Sequence, residues 1–173
     1  WEAFAEERQH LVAIPRPFDG YAESDVRVSS TALVTFDRNR YSVFASEVGQ
    51  AATIRAYADK VVLVSQGRVV GEHVRQFGRG KVVFDPWHYL SVLERKPGAL
   101  RNGAPFKCWD LPSELVRMRE ALMRFPDWDR QFVGILCAAK AHGLDAVANA
   151  CGQALAMNAV SKDVVLNLLS REA

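Results

Sequence analysis

Cysteine is scarce in this chain, and long apolar runs are missing from it. The three cysteines, Cys108, Cys137 and Cys151, form no Cys-x-x-Cys pair, so neither a disulfide framework nor a cysteine zinc site is predicted. No stretch approaches the roughly 18 consecutive apolar residues of a membrane-spanning helix. The first residues also lack the basic and then apolar pattern of a signal peptide. We therefore expect free thiols, a cytoplasmic location and no membrane partner.

Motifs for common cofactors and catalytic centres are absent as well. The sequence contains no P-loop, no dinucleotide-binding glycine motif, no His-Glu-x-x-His and no Gly-x-Ser-x-Gly. Its four histidines lie in separate segments, and Asp127 with Asp129 is more typical of a helix N-terminus than of a metal pair. We expect no cofactor and no metal in this chain. We also expect no enzyme activity, because no nucleophile, base and orienting group can be named together.

The chain does contain enough apolar residues to form a core. It has 173 residues, of which 49% are hydrophobic and 24% charged, as in an average soluble domain. It starts without methionine, in charged sequence of helical character, and we expect it to be a fragment of a longer protein.

Charge is unevenly distributed along the sequence. Residues 26–107 contain 13 Lys and Arg against 6 Asp and Glu, a net charge of +7, whereas the remainder carries −5. Such asymmetry favours contact with a polyanion such as DNA or RNA, and an ordinary solvated basic surface is the alternative.

Periodicity divides the chain into four parts. Residues 1–30 are expected to form a helix end and an extended, proline-containing linker. Residues 31–84 are expected to form a small β-barrel, residues 85–110 a helix followed by a basic loop, and residues 111–173 a helical C-terminal region. The predicted fold class is therefore α+β, with a five-stranded, SH3-like barrel in front of the helices.

The strand prediction for residues 31–84 depends on short runs of β-branched and aromatic residues. There are five such runs, separated by turn chemistry in which Gly or Asn takes positive φ: Leu33–Phe36, Tyr41–Phe44, Thr53–Tyr57, Val61–Val64 and Val69–Val74. So few short strands bury little as an open sheet, and closure into a barrel removes the exposed edges.

The helical part is expected to start at Asp85-Pro86. The Asp side chain can cap the helix, and proline at the first helical position sacrifices no hydrogen bond. Further helices are predicted from apolar stripes at helical spacing, with Pro126 and Gly143 as separators. Between these parts, residues 99–110 are expected to be irregular and polar, and residues 95–107 are expected to have no role in the core.

Two basic stretches are candidate phosphate-binding segments. Residues 77–81 place two glycines around Arg79, so that backbone amides can approach a phosphate; a barrel-closing turn is the alternative. Residues 95–107 contain four cations, two prolines and two glycines, and could follow a sugar-phosphate backbone or lie in a minor groove. Their alternative role is that of a structured connector over the helices.

The same residues resemble a known family. The run Arg38–Val43, Phe77–Gly80 with Trp87–Leu90, and above all Glu94–Phe106 are similar to the C-terminal portion of IstA-type transposases, which belong with phage Mu transposase among the DDE recombinases. The likeness continues in order to about residue 170. The resemblance implies a small barrel and helices that follow a catalytic domain missing from this chain, where the acidic residues and their Mg would lie.

By this resemblance the chain is expected to be a non-catalytic module that contacts double-stranded transposon ends in a homo-oligomer assisted by a partner ATPase. The residues expected to bind DNA are Arg38, Arg40, Arg79, Lys81, Arg95, Lys96, Arg101, Asn102 and Lys107. If about five phosphates are neutralised, log K falls against log salt with a slope near −4.5.

The alternative function is a protein-interaction module. In that case the acidic helical region, residues 111–173, would dock a neighbouring subunit or the ATPase, with Trp109 and Trp128 as apolar contacts. An independent hydrolase is disfavoured by the missing catalytic motifs.

Overall fold

The fold combines β-sheets and helices, as predicted. The computed structural model describes residues 19–172. The helix predicted for the first residues and the prolines of the predicted linker lie outside them. The strands described are β1 (Ala22–Arg27), β2 (Leu33–Phe36), β3 (Asn39–Ser42), β4 (Ala51–Ala56), β5 (Lys60–Ser65), β6 (Arg68–Val74) and β7 (Val82–Val83). The α-helices described are α1 (Leu90–Arg95), α2 (Ala99–Asn102), α3 (Ser113–Leu122), α4 (Trp128–His142), α5 (Leu144–Ala156) and α6 (Lys162–Glu172).

The strands form two sheets that share one core. The first sheet is antiparallel with the order β1-β4-β5-β6, and the second has the order β2-β3-β7 with β7 parallel to β3. Tyr41, Ile54 and Leu63 are fully buried between them. The Phe44 amide donates to the Val70 carbonyl at 3.1 Å and connects the chain after β3 to β6. Within the described residues this arrangement is not a closed barrel, so the five-stranded, SH3-like barrel is not confirmed.

Strands β2 to β6 correspond to the five predicted runs, and β1 and β7 are additional. Strand β1 lies inside the segment predicted to be a linker. Its side chains are exposed or half-exposed, so it lacks the apolar alternation that identifies a strand. It is held by backbone pairing with β4, from Ala22 opposite Ala56 to Arg27 opposite Ala51.

The helix predicted at Asp85-Pro86 is confirmed, although its first turn is a 3-10 helix over Pro86–Tyr89 that continues into α1. The Asp85 carboxylate accepts from the Trp87 amide at 3.0 Å, as expected of an N-cap. In α3 to α6 the predicted apolar stripes face the core, with Leu115, Phe132 and Val165 fully buried. No helix in the described part of the chain is long and apolar enough to cross a membrane.

Two predictions are wrong here: that residues 99–110 are irregular, and that residues 95–107 have no role in the core. This segment contains α2 and a 3-10 helix over Ala104–Phe106. Leu100 and Phe106 are buried, and the Phe106 ring packs against Tyr89 and Trp109. The segment is therefore a packed connector with a cationic outer surface, because isolated apolar residues anchor it between polar neighbours.

Candidate nucleic-acid interface

The turn between β2 and β3 presents an arginine in an unusual backbone conformation. Asp37 and Arg38 form a two-residue hairpin turn with φ of 47° and 61°, the signature of a type I′ turn. The hairpin between β5 and β6 has the same geometry with Gln66 and Gly67, and there glycine takes the second position. Arginine in the left-handed region costs roughly 1 kcal/mol or more of backbone strain, so the β2–β3 turn has a cation at a position where glycine would relieve that strain.

Asn39 binds this turn to the loop between β6 and β7, residues 75–81, which contains Gly78 and Gly80. Its side chain is fully buried, and Nδ2 lies 3.1 Å from the carbonyl oxygen of Gln76 and 3.2 Å from that of Gly78. Its Oδ1 accepts from the Lys81 amide at 3.1 Å. Three contacts from one side chain therefore fix both ends of the loop.

Backbone hydrogen bonds complete the same connection. The Gly80 amide donates to the Arg38 carbonyl, and the Arg40 amide donates to the Lys81 carbonyl, both at 2.9 Å. As a result four predicted site residues from two loops lie in one region, all exposed. We call this region the basic corner, and it consists of Arg38, Arg40, Arg79 and Lys81.

Arg95 and Lys96 form a second cationic site at the C-terminal end of α1, where both are exposed. The Arg95 Nε donates to the carbonyl of Ser91 at 3.2 Å. The neighbouring Glu94 forms its ion pair with Lys140 on α4, at 2.8 Å, and not with Arg95 or Lys96. The hydrogen bond from Lys140 lowers the pKa of Glu94.

A groove of about 900 Å³ connects the two sites. Arg40 contributes to it from the sheet and Arg95 from α1, while Phe84, Tyr89 and Phe106 supply apolar surface. No acidic side chain is among the described residues that line it. The groove therefore combines two guanidinium groups with an uncharged wall, which suits an anionic ligand.

The remaining residues predicted to bind DNA differ in whether their side chains are free to contact it. The Arg101 guanidinium pairs with Asp129 at 2.9 Å and lies 5.4 Å from the Trp128 ring centroid, so it fastens α2 to the start of α4. Asn102 and Lys107 are exposed. Among the described residues, no carboxylate forms an ion pair with the following six cations: Arg38, Arg40, Arg79, Lys81, Arg95 and Lys96.

Sequence reasoning missed the structural role of Asn39. Its contacts join residues up to 42 positions apart in the sequence, and no local sequence pattern predicts contacts of that separation. The sequence offers one signal for this role, a polar Asn between two arginines at a turn, and that signal predicts only a residue suited to a turn.

His73 and His88, which lie in separate segments of the sequence, meet in a buried cluster. The rings of His73 and His88 are 5.5 Å apart, the His73 Nε2 lies 2.6 Å from the Ser42 carbonyl, and the His88 Nδ1 lies 2.9 Å from the Ser42 hydroxyl. Ser42 is fully buried, and its Oγ accepts from the Asp85 amide at 2.8 Å. The cluster thus ties β3 and β6 to the start of the helices.

The set Ser42, His88 and Asp85 does not have the geometry of a hydrolase triad. The Ser42 hydroxyl is inaccessible to a substrate, and the Asp85 carboxylate is 3.6 Å from the His88 Nε2. Among the described residues, no three His, Cys, Asp or Glu side chains form a metal-binding group. The role of the cluster is structural.

The histidine cluster predicts acid sensitivity. Burial lowers the pKa of His88 to about 4, against a partial opposing effect of Asp85, and burial also lowers the pKa of His73. Protons therefore bind the unfolded chain more tightly, and stability falls as the pH drops below 6.5 towards 4. Between pH 7.5 and pH 5 we expect His88 to account for a loss of about 2 kcal/mol, measured by urea unfolding.

The matched variants for this prediction are His88→Asn and His142→Asn, the latter at an exposed position at the end of α4. His88→Asn should flatten the dependence of stability on pH, and His142→Asn should leave it unchanged. An equal slope in all three proteins would show that other groups, such as His73 or the carboxylates, and not His88, cause the acid sensitivity.

Comparison of the sequence with known proteins finds one family model and several transposases that are similar to this chain. Residues 14–85 match the family described as Mu transposase, C-terminal domain. The transposases for insertion sequences IS1326/IS1353 of Pseudomonas aeruginosa and of Shigella flexneri are each 46% identical to the chain over 175 residues, covering 98% of the chain and 34% of the relative. A transposase of Aminobacter aminovorans is 42% identical with the same coverage. No solved structure gives a significant match.

Residues 14–85 therefore correspond to the Mu transposase C-terminal domain. The whole chain is similar to part of insertion-sequence transposases, and it spans about a third of the length of the curated relatives it matches. The resemblance inferred from the sequence motifs is confirmed.

Proposed function

We propose that this chain is a non-catalytic DNA-binding and assembly module of a transposase, which holds the phosphates of transposon-end duplex DNA. The observation that carries the proposal is the groove shared by Arg40 and Arg95, which joins two basic segments that are far apart in sequence. We assign the cutting and joining of DNA, with its acidic residues and Mg, to the part of the transposase outside this chain.

The main phosphate-binding groups in this proposal are Arg38, Arg40, Arg79, Lys81, Arg95 and Lys96, for which the described residues provide no carboxylate partner. Lys and Arg displace condensed counterions from DNA, so binding of this kind is electrostatic and independent of base sequence. Arg101 is proposed to act indirectly, by fixing α2 against α4 through Asp129. Asn102 and Lys107 are proposed as peripheral phosphate contacts.

The experiment that tests the proposal is fluorescence anisotropy with a labelled duplex. A detached module lacks the avidity of the oligomer, and we expect saturable binding with Kd in the range of roughly 1–100 µM, typical of non-specific contacts at physiological salt. Absence of saturable binding even at low salt would contradict a DNA-binding role.

Arg38 provides a test in which stability and binding change in opposite directions. Arg38→Gly relieves the left-handed backbone, and we expect the free energy of unfolding to stay equal or rise by up to about 1 kcal/mol, since the added flexibility of the unfolded chain offsets part of the gain. Loss of one phosphate contact should weaken duplex binding about eightfold at 0.1 M salt.

The matched control is Gly67→Arg, which introduces a cation at the same position of the other hairpin. It should cost about 1 kcal/mol of stability and leave duplex affinity unchanged. Tighter duplex binding by Gly67→Arg, or unchanged binding by Arg38→Gly, would show that position within the basic corner is irrelevant.

Assembly is the second role in the proposal, with a further subunit or the partner ATPase docking on the helical region. Trp109 and Trp128 do not support this role, because both rings already have contacts within the chain: Trp109 packs on Trp87, and Trp128 lies beneath Arg101. Its support is the exposed side chains of Met123 and Met157, at the ends of α3 and α5. Sedimentation at several concentrations, with and without duplex, separates the roles: a tight dimer indifferent to DNA favours assembly.

A further inference from the structure

Phe77 is a large apolar side chain left in solvent beside the basic corner. It is 63% exposed and belongs to none of the strands or helices. Two other exposed apolar residues, Val69 and Val74, lie in β6, where β-branched side chains suit the strand. Because Phe77 lies outside the strands, strand formation does not explain why a large apolar residue is exposed there.

The ring of Phe77 is held in place by a stack behind it. The Arg75 guanidinium lies 5.3 Å from the Phe77 centroid and 5.4 Å from the Phe36 centroid. Arg75 itself is fixed, because its Nη1 donates to the Tyr57 carbonyl at 2.8 Å and its amide donates to the Asp59 carbonyl at 2.8 Å. A cation–π contact of this kind restrains the ring, so a ligand on the ring's open surface meets a pre-oriented partner.

The surroundings of the ring are open and predominantly cationic. Gly78 and Gly80 follow it with φ of 93° and 79°, and apart from the glycine and its two chain neighbours no heavy atom lies within 4 Å of the position that a Cβ would take at either one. Arg79 and Lys81 extend from the same loop, and Arg38 is hydrogen-bonded to it through its carbonyl. Asp37 is the acidic residue of the adjoining turn.

We propose that Phe77 stacks on a nucleobase that is outside the duplex stack, at a strand end or an unpaired position, while the basic corner holds the neighbouring phosphates. This inference rests on the proposed DNA-binding function and adds a ligand class to the same site. Bases have a π-face whatever their identity, so the contact is tolerant of sequence. A base within an intact duplex is covered on both faces and offers no such surface.

The test compares a blunt duplex with the same duplex carrying a single-stranded overhang that contains 2-aminopurine. Stacking on an aromatic side chain strengthens binding by about tenfold, so the wild-type chain should prefer the overhang by about that factor and quench its fluorescence. Phe77→Ala should abolish the preference and the quenching, with blunt-duplex affinity and salt dependence unchanged, because phenylalanine carries no charge.

Three further variants complete the experiment. Phe77→Trp should keep the preference, Phe77→Leu should lose it, and Val69→Ala, at the far end of β6, should behave as wild type. A wild-type chain that binds both duplexes equally, or a Phe77→Ala variant that retains the preference, overturns the stacking inference and leaves the phosphate-binding function standing. A wild-type chain that binds neither DNA overturns both.

Discussion

Replacing Asn39 with alanine is expected to lower the free energy of unfolding by about 3 kcal/mol. The substitution removes an acceptor from the Lys81 amide and a donor from the carbonyls of Gln76 and Gly78. Each buried polar group that loses its partner costs about 1–3 kcal/mol, and partial access of water to the loop keeps the total near the stated value. Urea unfolding measures it directly.

The loop after β6 should open in the same variant. Arg79 and Lys81 are trypsin sites, and the contacts of Asn39 hold the backbone on both sides of Arg79. We expect cleavage at these sites to accelerate under native conditions, and duplex binding to weaken with the loss of a fixed basic corner.

Asn149→Ala is the control, since Asn149 is exposed on α5. It should change neither stability nor cleavage by a measurable amount. If Asn39→Ala is as stable as this control and its loop remains protected, Asn39 does not organise the site.

Neutralising both arginines of the groove is expected to produce the largest effect on binding. In the double variant Arg40→Gln and Arg95→Gln, two phosphate contacts are lost. Duplex affinity should fall about 60-fold at 0.1 M salt, and the salt slope should become less steep by about 1.8. Both side chains are exposed, so the fold should be unaffected.

The control for this prediction removes the same charge elsewhere. Arg117 on α3 and Arg171 on α6 are exposed, and the double variant Arg117→Gln and Arg171→Gln should bind duplex within about twofold of wild type. Equal losses in the two double variants would mean that net charge attracts DNA and that the groove has no special role.

Local chemistry explains which parts of the fold could be predicted. The five runs that correspond to β2 to β6 contain β-branched residues, and the helix start at Asp85-Pro86 depends on a contact between residues two positions apart, Asp85 and Trp87. Strand β1 could not be recognised, because its exposed side chains carry no pattern and its stability comes from backbone pairing with β4. Strand β7 has two residues, too few for any periodicity.

The sequence predicted which types of residue belong to the site, but not how those residues are brought together. Basic residues near glycines indicated the segments, but the joining of those segments depends on contacts of long sequence separation, as those of Asn39 show. The sequence also assigned positive φ to Gly or Asn, whereas Asp37 and Arg38 adopt it between β2 and β3. Arg101 was grouped with the free cations because its partner, Asp129, lies 28 residues away.

The most direct test of the account is the salt dependence of duplex binding by the wild-type chain. With four to six phosphates neutralised by the basic corner, Arg95 and Lys96, the plot of log K against log salt should be linear with a slope between about −3.6 and −5.4. Saturable binding with a flat slope would contradict the claim that these cations form a phosphate-binding surface.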